Sequence, residues 1–579
     1  MKKVLSVILA AGLLVTAAGC SLSQNNAEYT VNFSYNYFTF DEVPARQTVK
    51  YGQKAERPAD PVRVGYTFLG WFTDEDLNNA WDFDSDKVTA RTTLYAGWIS
   101  SDIRGEISYP SNDRDFSSLR TPGQQEAAYE YNTFFLPEKD GIAQPYVGDT
   151  MPYYENGTYY IYYLKDGGDS YNHSIYLATT RDFISYEERQ EVVIESDRGS
   201  AQDAWIGTGS LVKVGSKYYF FYTGHNGSEG REFKETVMVA EGNSPTSFQK
   251  KAGWQILPPD SLGQKNDFRD PQAYYDAQKD EITLTITASQ GGTARVLKYT
   301  MKGDLSNPEY GGIIFTNSVG NFWNLECSDT FRIGNKWYLT YSAQDDTLFY
   351  AVSDAQYGPY SAPKRLEGKL FYAAKHVSNG TDTYMVGWAR RSESVSSTQD
   401  VAGWAGNMVA QKVLQKSDGS IYLAPIAYEE LFATRRALLT QSTVLRVDSG
   451  SRYSYTDAFL CYERFLLEGD FTFTGTGEFG FAFDYNGTES KYKTVYFSPT
   501  DKAMGLAFNK GSTKITEMRV DLQAGQEYSF AYVQEGSVGI LYLNGQAALT
   551  VRLYGCTGKN VKLFASNNNV RFSSLRLYT

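Results

Sequence analysis

The sequence is poor in the residues that build metal centres and disulfide frameworks. Its 579 residues include only three histidines and four cysteines, and their positions show no metal-ligand spacing. Cys327, Cys461 and Cys556 are far apart and odd in number, so no disulfide framework is expected. We therefore expect a protein without a metal site and without a cofactor.

An excess of basic charge and long apolar runs are also lacking. The chain has 55 Lys and Arg against 67 Asp and Glu, a net charge of −12, whereas a nucleic-acid partner requires a basic face. After the first 15 residues, no apolar run approaches the ~20 residues that a membrane span needs. The sequence therefore indicates no nucleic-acid partner and no membrane-spanning segment.

Aromatic residues are abundant. The counts of 46 Tyr, 33 Phe and 9 Trp against 17 Pro favour β structure, because aromatic side chains fit pleated surfaces and stack on flat ligands. The hydrophobic fraction of 42% and the charged fraction of 21% are typical of a folded protein. A chain of this length exceeds one ordinary core, and we predict an all-β protein with several domains.

The N-terminal 20 residues have the pattern of an export signal. Lys2 and Lys3 precede the apolar run Val4–Val15, and small residues lead to Cys20. The segment Thr16–Cys20 resembles the bacterial lipobox, in which the cysteine is lipidated. This resemblance implies a protein exported and lipid-anchored to the outer face of the bacterial cell membrane, with lipidation at Cys20. The alternative is a plain signal peptide with a chance cysteine.

Residues 28–98 show short alternating segments separated by turns, among them the run from Gly65 to Phe72. The pattern resembles the small β-grasp surface repeat of bacterial internalin-type proteins, which implies spacing or adhesion. We expect Trp71, Trp81 and Trp98 to form its core. Residues 99–140 lose this periodicity, and we interpret them as a linker that wraps the next domain.

Residues 141–435 contain short strands and hairpins without helical segments. Lys336–Ser342 and Thr347–Val352, for example, are predicted to form a hairpin. Alternation of Ile and Thr over residues 281–288 predicts a half-buried strand. About 50 residues for each four-stranded blade predicts a five-bladed β-propeller, in which distant side chains meet at the axis.

Residues 436–579 also contain alternating segments typical of strands, but their pattern differs from that of residues 141–435. Asn544-Gly545 lies between two alternating segments and is a strong hairpin signal. We predict a separate C-terminal β-sandwich.

Three acids in the predicted propeller stand out. Glu326 immediately precedes Cys327 in an aromatic loop, and Asp149 and Asp270 lie upstream at predicted strand ends. Cleavage of a glycosidic bond with retention needs two carboxyl groups, one as nucleophile and one as proton donor. A third acid can bind sugar hydroxyls. Composition alone does not separate these three acids from the other acids of the chain.

The order of motifs over this region resembles glycoside hydrolase family 32, the fructosidases of invertase, inulinase and levanase type. The matching segments are, in chain order, Tyr146-Val147-Gly148-Asp149-Thr150-Met151-Pro152 before an aromatic strand, Thr208-Gly209-Ser210, Arg269-Asp270-Pro271, Glu326-Cys327 and Trp404-Ala405-Gly406-Asn407-Met408. The resemblance implies a retaining hydrolase of β-fructofuranosidic linkages in sucrose or in fructans such as inulin and levan.

The resemblance also implies roles for individual residues. Asp149 corresponds to the nucleophile, Glu326 to the general acid and base, and Asp270 to the acid that binds ring hydroxyls. The residues that correspond to substrate contacts or are candidate sugar platforms are Arg269, Cys327, Thr208, Ser210, Trp205, Trp388 and Trp404. For Cys327 the alternative is an ordinary buried thiol, and for each tryptophan it is a place in the core.

The first motif departs from the family pattern, because Gly148, Thr150 and Met151 replace its usual Asn, Pro and Asn. The family's asparagines help to hold the sugar, so other readings stay open. They are a hydrolase of another furanoside such as arabinan, a non-catalytic fructan-binding lipoprotein, and a surface adhesin built on the internalin-type repeat. The expected partner is an oligo- or polysaccharide substrate, with membrane contact through the lipid anchor only.

Overall fold

The computed structural model describes residues 27–36, 43–62, 66–74, 79–100, 133–138, 145–166, 173–390, 404–432, 435–437, 443–445, 453–455, 463–485, 488–508, 513–553, 556 and 561–579. The predicted signal peptide with Cys20, and most of the predicted linker, lie outside these residues. Within them, no helix has the length and apolar character needed to cross a membrane.

The N-terminal unit is one mixed sheet of five strands: β1 (Glu28–Ser34), β2 (Gln47–Lys50), β3 (Tyr66–Phe72), β4 (Ala80–Trp81) and β5 (Thr92–Ser100). The strand order is β2-β1-β5-β3-β4, and the central pair β1 and β5 is parallel, as in a β-grasp sheet. Trp71 is 2% exposed among apolar side chains of this core, and Trp81 and Trp98 pack against the same core.

The described residues of the central domain form twenty strands in antiparallel meanders. In chain order they are β6 (Tyr146–Glu155), β7 (Thr158–Asp166), β8 (Ile175–Thr180), β9 (Tyr186–Ile194), β10 (Trp205–Val214), β11 (Lys217–His225), β12 (Glu235–Ser244), β13 (Ser247–Ile256), β14 (Phe268–Asp276), β15 (Glu281–Gln290), β16 (Thr293–Lys302), β17 (Glu309–Thr316), β18 (Glu326–Ile333), β19 (Lys336–Ser342), β20 (Leu348–Ser353), β21 (Lys364–Arg365), β22 (Phe371–Ser378), β23 (Thr383–Arg390), β24 (Gly406–Gln415) and β25 (Ile421–Ala424). Two 3₁₀ turns, Asp260–Leu262 and Tyr428–Leu431, accompany them.

These strands form five four-stranded meanders arranged in a ring. Three are separate sheets, and the first and last share a larger sheet in which β24 pairs with β6 through the single register pair Gly406 and Val147. The first strands contact one another in the cycle β6, β10, β14, β18, β22 and back to β6. The propeller prediction is therefore confirmed, and so is the hairpin of β19 and β20.

The first strand of every meander has a β-bulge near its beginning. The register shifts lie between Val147 and Thr150 in β6, Gly207 and Gly209 in β10, Arg269 and Gln272 in β14, Glu326 and Asp329 in β18, and Tyr372 and Lys375 in β22. A bulge inserts an extra residue and redirects its neighbours' side chains. Five bulges at equivalent places therefore turn side chains toward one axis.

The prediction of a half-buried strand over residues 281–288 is wrong. Along β15 the threonine side of the alternation is buried as well, with Thr283, Thr285 and Thr287 at 4%, 2% and 0% exposure. The reason is tertiary, because the sheets of a propeller pack face to face. Alternation in sequence distinguishes two faces of a strand but does not tell whether the second face meets water or another sheet.

The C-terminal domain is a two-sheet β-sandwich, as predicted. Its strands are β26 (Arg435–Ala437), β27 (Thr443–Leu445), β28 (Tyr453–Tyr455), β29 (Arg464–Phe473), β30 (Phe479–Tyr485), β31 (Thr488–Ser498), β32 (Ala503–Phe508), β33 (Thr513–Arg519), β34 (Tyr528–Glu535), β35 (Val538–Leu543), β36 (Ala547–Arg552), β37 (Val561–Ser566) and β38 (Val570–Tyr578). One sheet runs β26-β38-β29-β34-β35-β36, with β27 on β38, and the other β28-β37-β30-β31-β32-β33. Asn544 and Gly545 have φ of 51° and 57°, the left-handed values that the predicted hairpin turn between β35 and β36 requires.

Two buried charged side chains of the sandwich form hydrogen bonds across the contact between the sandwich and the propeller. Arg552, fully buried on β36, donates hydrogen bonds to the carbonyls of Ala389 (2.8 Å) and Arg390 (2.9 Å) at the end of β23. Glu535 on β34 accepts from the backbone amide of Phe134 at 3.1 Å. The described end of the predicted linker, residues 133–138, is thus packed between the two domains.

Candidate active site

The bulges of the five first strands bring the three predicted acids together at one end of the ring. Asp270 and Cys327 have φ of 59° and 53°, and Ala373 at the fifth bulge has 52°. Left-handed backbone is uncommon for residues other than glycine and tends to occur at functional sites. Here it marks the positions where three first strands turn at the axis.

Asp149 is held by neutral donors. Its Oδ2 accepts a hydrogen bond from Thr208 Oγ1 at 2.6 Å, and its Oδ1 accepts one from Trp388 Nε1 at 3.3 Å. Burial raises the pKa of Asp149 above its ordinary value, and the charge of Glu326 raises it further. The two hydrogen bonds act in the opposite direction and fix the orientation of the carboxylate.

The unusual residues around Asp149 have clear physical reasons. A side chain at Gly148 would place its Cβ 2.0 Å from the ring of Trp404, so the indole occupies that space. Trp404 also stacks on His173, with ring centroids 4.3 Å apart. Thr150 donates its hydroxyl to the carbonyl of Val386 at 2.6 Å, which anchors the bulge of β6 to β23.

Asp270 is the least exposed of the three predicted acids. It is 3% exposed, its amide donates to Thr223 Oγ1 at 2.8 Å, and its Oδ2 accepts from the amide of Cys327 at 2.7 Å. Burial raises the pKa of Asp270 to about 7, with the charges of Asp149 and Glu326 adding to the shift and Arg269 opposing it. The Cys327 contact ties the second acid to the strand that carries the third.

Glu326 is the accessible acid of the three, with a side chain 34% exposed. Its Oε1 lies 3.3 Å from Arg269 Nη1, and its Oε2 accepts a hydrogen bond from the Tyr372 hydroxyl at 2.6 Å. An acid at the open side of a pocket, fixed through both oxygens, can exchange protons with a substrate and with water.

Arg269 links Glu326 to a second group of acids behind it. Its Nε donates to Glu235 Oε2 at 3.0 Å, and its Nη2 lies 3.1 Å from Asp267 Oδ1. Burial alone would raise the pKa of Glu235, but the hydrogen bond with His225 and the charge of Arg269 lower it. The guanidinium is therefore held in place before any ligand enters.

Cys327 is a buried thiol beside the acids. It is 1% exposed, and its Sγ lies 3.6 Å from Thr208 Oγ1. Burial, together with the charges of Asp149 and Asp270, raises the pKa of this thiol well above its ordinary value. It is thus a neutral neighbour of the acids, and its backbone amide holds Asp270.

The other predicted contact residues lie at different depths. Ser210 is 6% exposed and uses its hydroxyl to bridge the backbone of β14, accepting from Ala273 N and donating to Pro271 O. Trp388 is 1% exposed and contacts Asp149 directly. Trp205 stacks on His225, with ring centroids 5.2 Å apart, beside the Glu235 and Arg269 pair.

Three functional neighbours were missed in the sequence: Tyr372, Lys375 and Glu235. None lies in a recognisable motif, and each is defined by a contact across the ring. A signal was nevertheless present for the first two, because Tyr372-Ala373-Ala374-Lys375 opens the fifth meander as the motifs with acids open three others. Counting repeats would have pointed to this stretch.

Comparison with known proteins agrees with this architecture. Residues 148–425 match the glycosyl hydrolases family 32 N-terminal domain, and residues 29–97 match the Listeria-Bacteroides repeat domain. A sucrose-6-phosphate hydrolase of Escherichia coli is 23% identical over 289 residues, 46% of this chain and 58% of that enzyme. The chain covers smaller parts of the other curated relatives reported for it, between 12% and 14% of their lengths.

Solved structures share the fold of the two larger domains. The sucrose-6-phosphate hydrolase of Lactobacillus gasseri superposes with a TM-score of 0.59 at 15% identity, covering 80% of this chain and 97% of that one. The exo-inulinase of Aspergillus awamori gives a TM-score of 0.59 at 14% identity, covering 77% and 98%. The chain is similar to these proteins in its propeller and sandwich.

Proposed function

We propose that this chain, whose residues 148–425 are a glycosyl hydrolase family 32 N-terminal domain, is a glycosidase that hydrolyses β-fructofuranosidic linkages. The substrates are sucrose or its 6-phosphate, or fructans such as inulin and levan. The names of the similar proteins support both groups of substrate.

The observation that carries the proposal is the convergence of three acids from three separate bulges. Asp149 is oriented by Thr208 and Trp388, Asp270 by Cys327, and Glu326 by the pair of Arg269 and Tyr372. Burial and the charge of Glu326 raise the pKa of Asp149, and burial and the charges of Asp149 and Glu326 raise the pKa of Asp270. Buried acids with a raised pKa in a shared pocket are characteristic of sites that do chemistry.

The proposed reaction is a double displacement with retention. Asp149 attacks the anomeric carbon and forms a fructosyl ester, while Glu326 gives its proton to the leaving oxygen. Glu326 then removes a proton from water, which attacks the ester and releases fructose and the free Asp149 carboxylate. Asp270 binds ring hydroxyls, and the raised pKa of Asp270 allows it to donate as well as accept hydrogen bonds.

The test is fructose release from sucrose, sucrose 6-phosphate, inulin and levan, measured by chromatography of the products. We expect Glu326→Gln to lower kcat by roughly 10²–10⁴-fold, because it removes the general acid. Lys493→Met on β31 of the sandwich serves as the matched control with intact activity. Absence of fructose release by the wild-type protein from all four substrates would refute the proposal.

A second candidate, hydrolysis of another furanoside such as arabinan, is favoured by one observation. Trp404 occupies the space beside Gly148, so no side chain there can reach the sugar as the family's asparagine does. Release of arabinose from arabino-oligosaccharides, without fructose release, would decide for this candidate. Tight fructan binding without turnover would instead establish a non-catalytic binding protein.

We also propose that the protein works at the cell surface, anchored through Cys20. The export pattern of the first 20 residues and the surface-type repeat over residues 29–97 support this location. Cys20→Ser is expected to move the protein from the membrane fraction to the medium, as followed by fractionation and immunoblotting. Unchanged membrane association of this variant would contradict the lipid anchor.

A further inference from the structure

Lys375 is a fully buried cation at the centre of the ring. It lies at the bulge of β22, is 1% exposed, and its Nζ donates a hydrogen bond to the carbonyl of Gly209 on β10 at 2.8 Å. Strands β22 and β10 are not neighbours, because β6 lies between them in the ring. The side chain therefore reaches past β6 and joins two first strands that are not adjacent.

The free-energy cost of burying the Lys375 ammonium group must be offset by favourable interactions within the protein. Removing a lysine from water costs several kcal/mol unless charges and hydrogen bonds replace the lost solvation. In the described part of the chain, the ammonium donates to a backbone carbonyl and does not form a direct ion pair with a carboxylate. Its compensation must therefore come from acids nearby, at longer range.

The titratable groups that interact with the charge of Lys375 are Asp149 on β6 and Cys327 and Asp329 on β18. Asp270 on β14 and Glu326 on β18 share the pocket with Asp149, and His376 is the neighbour of Lys375 on β22. Asp329 is already paired, since its Oδ2 lies 2.6 Å from His376 Nδ1. Among the described residues, the hydrogen-bond donors to Asp149 are the neutral side chains of Thr208 and Trp388.

The contact with Gly209 gives Lys375 a second influence on Asp149. Gly209 follows Thr208, whose hydroxyl donates to Asp149 Oδ2 at 2.6 Å. The amide of Gly209 is fixed as well, since it donates to Met151 Sδ at 3.1 Å. A hydrogen bond to the Gly209 carbonyl thus restrains the bulge that presents the Thr208 hydroxyl.

We propose that Lys375 is the internal counter-ion and positioning residue of the acid centre, which keeps Asp149 ionised and Thr208 aimed at it. The inference rests on the proposed function for its catalytic consequence, and it names a residue that touches neither substrate nor reacting atoms. Burial and the charge of Glu326 raise the pKa of Asp149, and the charge of Lys375 lowers it together with the hydrogen bonds from Thr208 and Trp388.

Two neutral variants separate the charge from the hydrogen bond. Lys375→Met removes both, and Lys375→Gln removes the charge but keeps an N–H donor within reach of β10. Without the cation the pKa of Asp149 rises, so a higher pH is needed to ionise it. We expect the acidic limb of the kcat/KM profile to move up by roughly one pH unit in both variants. We also expect kcat at the optimum to fall further in Lys375→Met.

Lys493→Met is the matched control, since Lys493 is also fully buried but lies on β31 of the sandwich. It should leave the acidic limb unmoved. An acidic limb unchanged in both Lys375 variants would overturn the proposal. If the single variants do not fold, Lys375→Met combined with Asp329→Asn removes one charge of each sign. This double variant should still show the shifted limb, and an unshifted limb in it would equally overturn the proposal.

A measurement without turnover distinguishes failure of this inference from failure of the proposed function. A carboxyl whose folded-state pKa lies above its unfolded value stabilises the fold below the unfolded pKa, and that contribution is lost as pH rises. The loss of thermal stability caused by Lys375→Met should therefore be larger at pH 7 than at pH 4, as measured by scanning calorimetry. An equal loss at both pH values would contradict the counter-ion role even in a protein that cleaves no sugar.

Discussion

Asp270 and Glu367 are two buried acids with the same displaced pKa, about 7, in two different places of the molecule. Asp270 lies at the propeller axis, and Glu367 lies where the propeller meets the sandwich. Burial is the largest cause in both. Around Asp270 three charged side chains contribute beside one backbone amide, that of Cys327, whereas Glu367 receives hydrogen bonds from the backbone amides of Gly368 and Thr550.

The difference teaches how a reactive acid can be told from a structural one. Glu367 is surrounded by fixed donors that satisfy it, one of them supplied by β36 of the sandwich. Asp270 shares its pocket with two more acids, and its pKa depends on the ionisation of its neighbours. A raised pKa alone therefore does not identify a catalytic group, and the identity of its partners does.

The largest expected difference between the two acids is in activity. Asp270→Asn should lower kcat/KM by roughly 10³-fold, since it removes a group proposed to bind the sugar in the transition state. Glu367→Gln should leave kcat/KM within about threefold, because the hydrogen bonds of Glu367 go to Gly368 and to Thr550 of the sandwich. Both are measured as fructose release by steady-state kinetics. Equal losses in the two variants would remove the distinction.

The next largest effect is expected in stability at the domain contact. Arg552→Met should lower the free energy of unfolding by roughly 2–5 kcal/mol, because it leaves two buried carbonyls of β23 without their donor, at about 1–3 kcal/mol each. Arg332→Met is the control, since Arg332 bonds a carbonyl from an exposed position. Urea denaturation followed by tryptophan fluorescence measures both. A loss below 1 kcal/mol for Arg552→Met would show that the contact is not essential.

Asp270 and Glu367 should both contribute to the pH dependence of the free energy of unfolding. Their folded-state pKa of about 7 exceeds ordinary values of 3.8 and 4.5, so their stabilising contribution is present below pH 4 and lost as pH rises through 7. Each acid should change the free energy of unfolding by on the order of 2 kcal/mol over this pH range. The change is smaller than the full value of about 1.4 kcal/mol per pKa unit, because the protein relaxes around the buried charge. The double variant Asp270→Asn with Glu367→Gln should have a flatter profile between pH 4 and 8 than either single variant.

The smallest effect concerns two tyrosines that donate to glutamates at the same 2.6 Å distance, Tyr372 to Glu326 and Tyr496 to Glu517. Tyr372→Phe should lower kcat about tenfold, corresponding to roughly 1.5 kcal/mol for a hydrogen bond to a charged group. Tyr496→Phe, on the sandwich, should leave kcat unchanged. A kcat unaffected by Tyr372→Phe would mean that Arg269 alone suffices to hold Glu326.

Much of the fold and part of the site could be read from the sequence. The hairpin at Asn544-Gly545 and the repeating strands follow from local turn chemistry and periodicity, which depend on neighbouring residues only. Asp149, Asp270 and Glu326 could be selected because they lie in an ordered series of motifs. The expected roles of these residues stay predictions until the variants are measured.

The remainder depends on the assembled ring. The roles of Lys375 and Tyr372 depend on contacts that form only when β22 packs beside β6 and β18. Their own segment opens a repeat, but it does not indicate which side chains they contact. The stacking of sheets also reversed the expectation for the threonine face of β15. The positive φ angles of Asp270 and Cys327 could not be predicted from the sequence either, because the pairing of two strands determines where a bulge forms.

The pairing of β24 with β6 affects the order in which the parts of the propeller fold. Asp149 belongs to the first meander, but Trp388, which donates to it, follows 239 residues later. A chain that emerges from N to C must therefore complete four meanders before the first acquires its last neighbour. Ring closure pairs strands that are far apart in the sequence, and because such contacts form slowly we expect closure to be a late step of folding. The acid pocket would then be the last part of the propeller to exist.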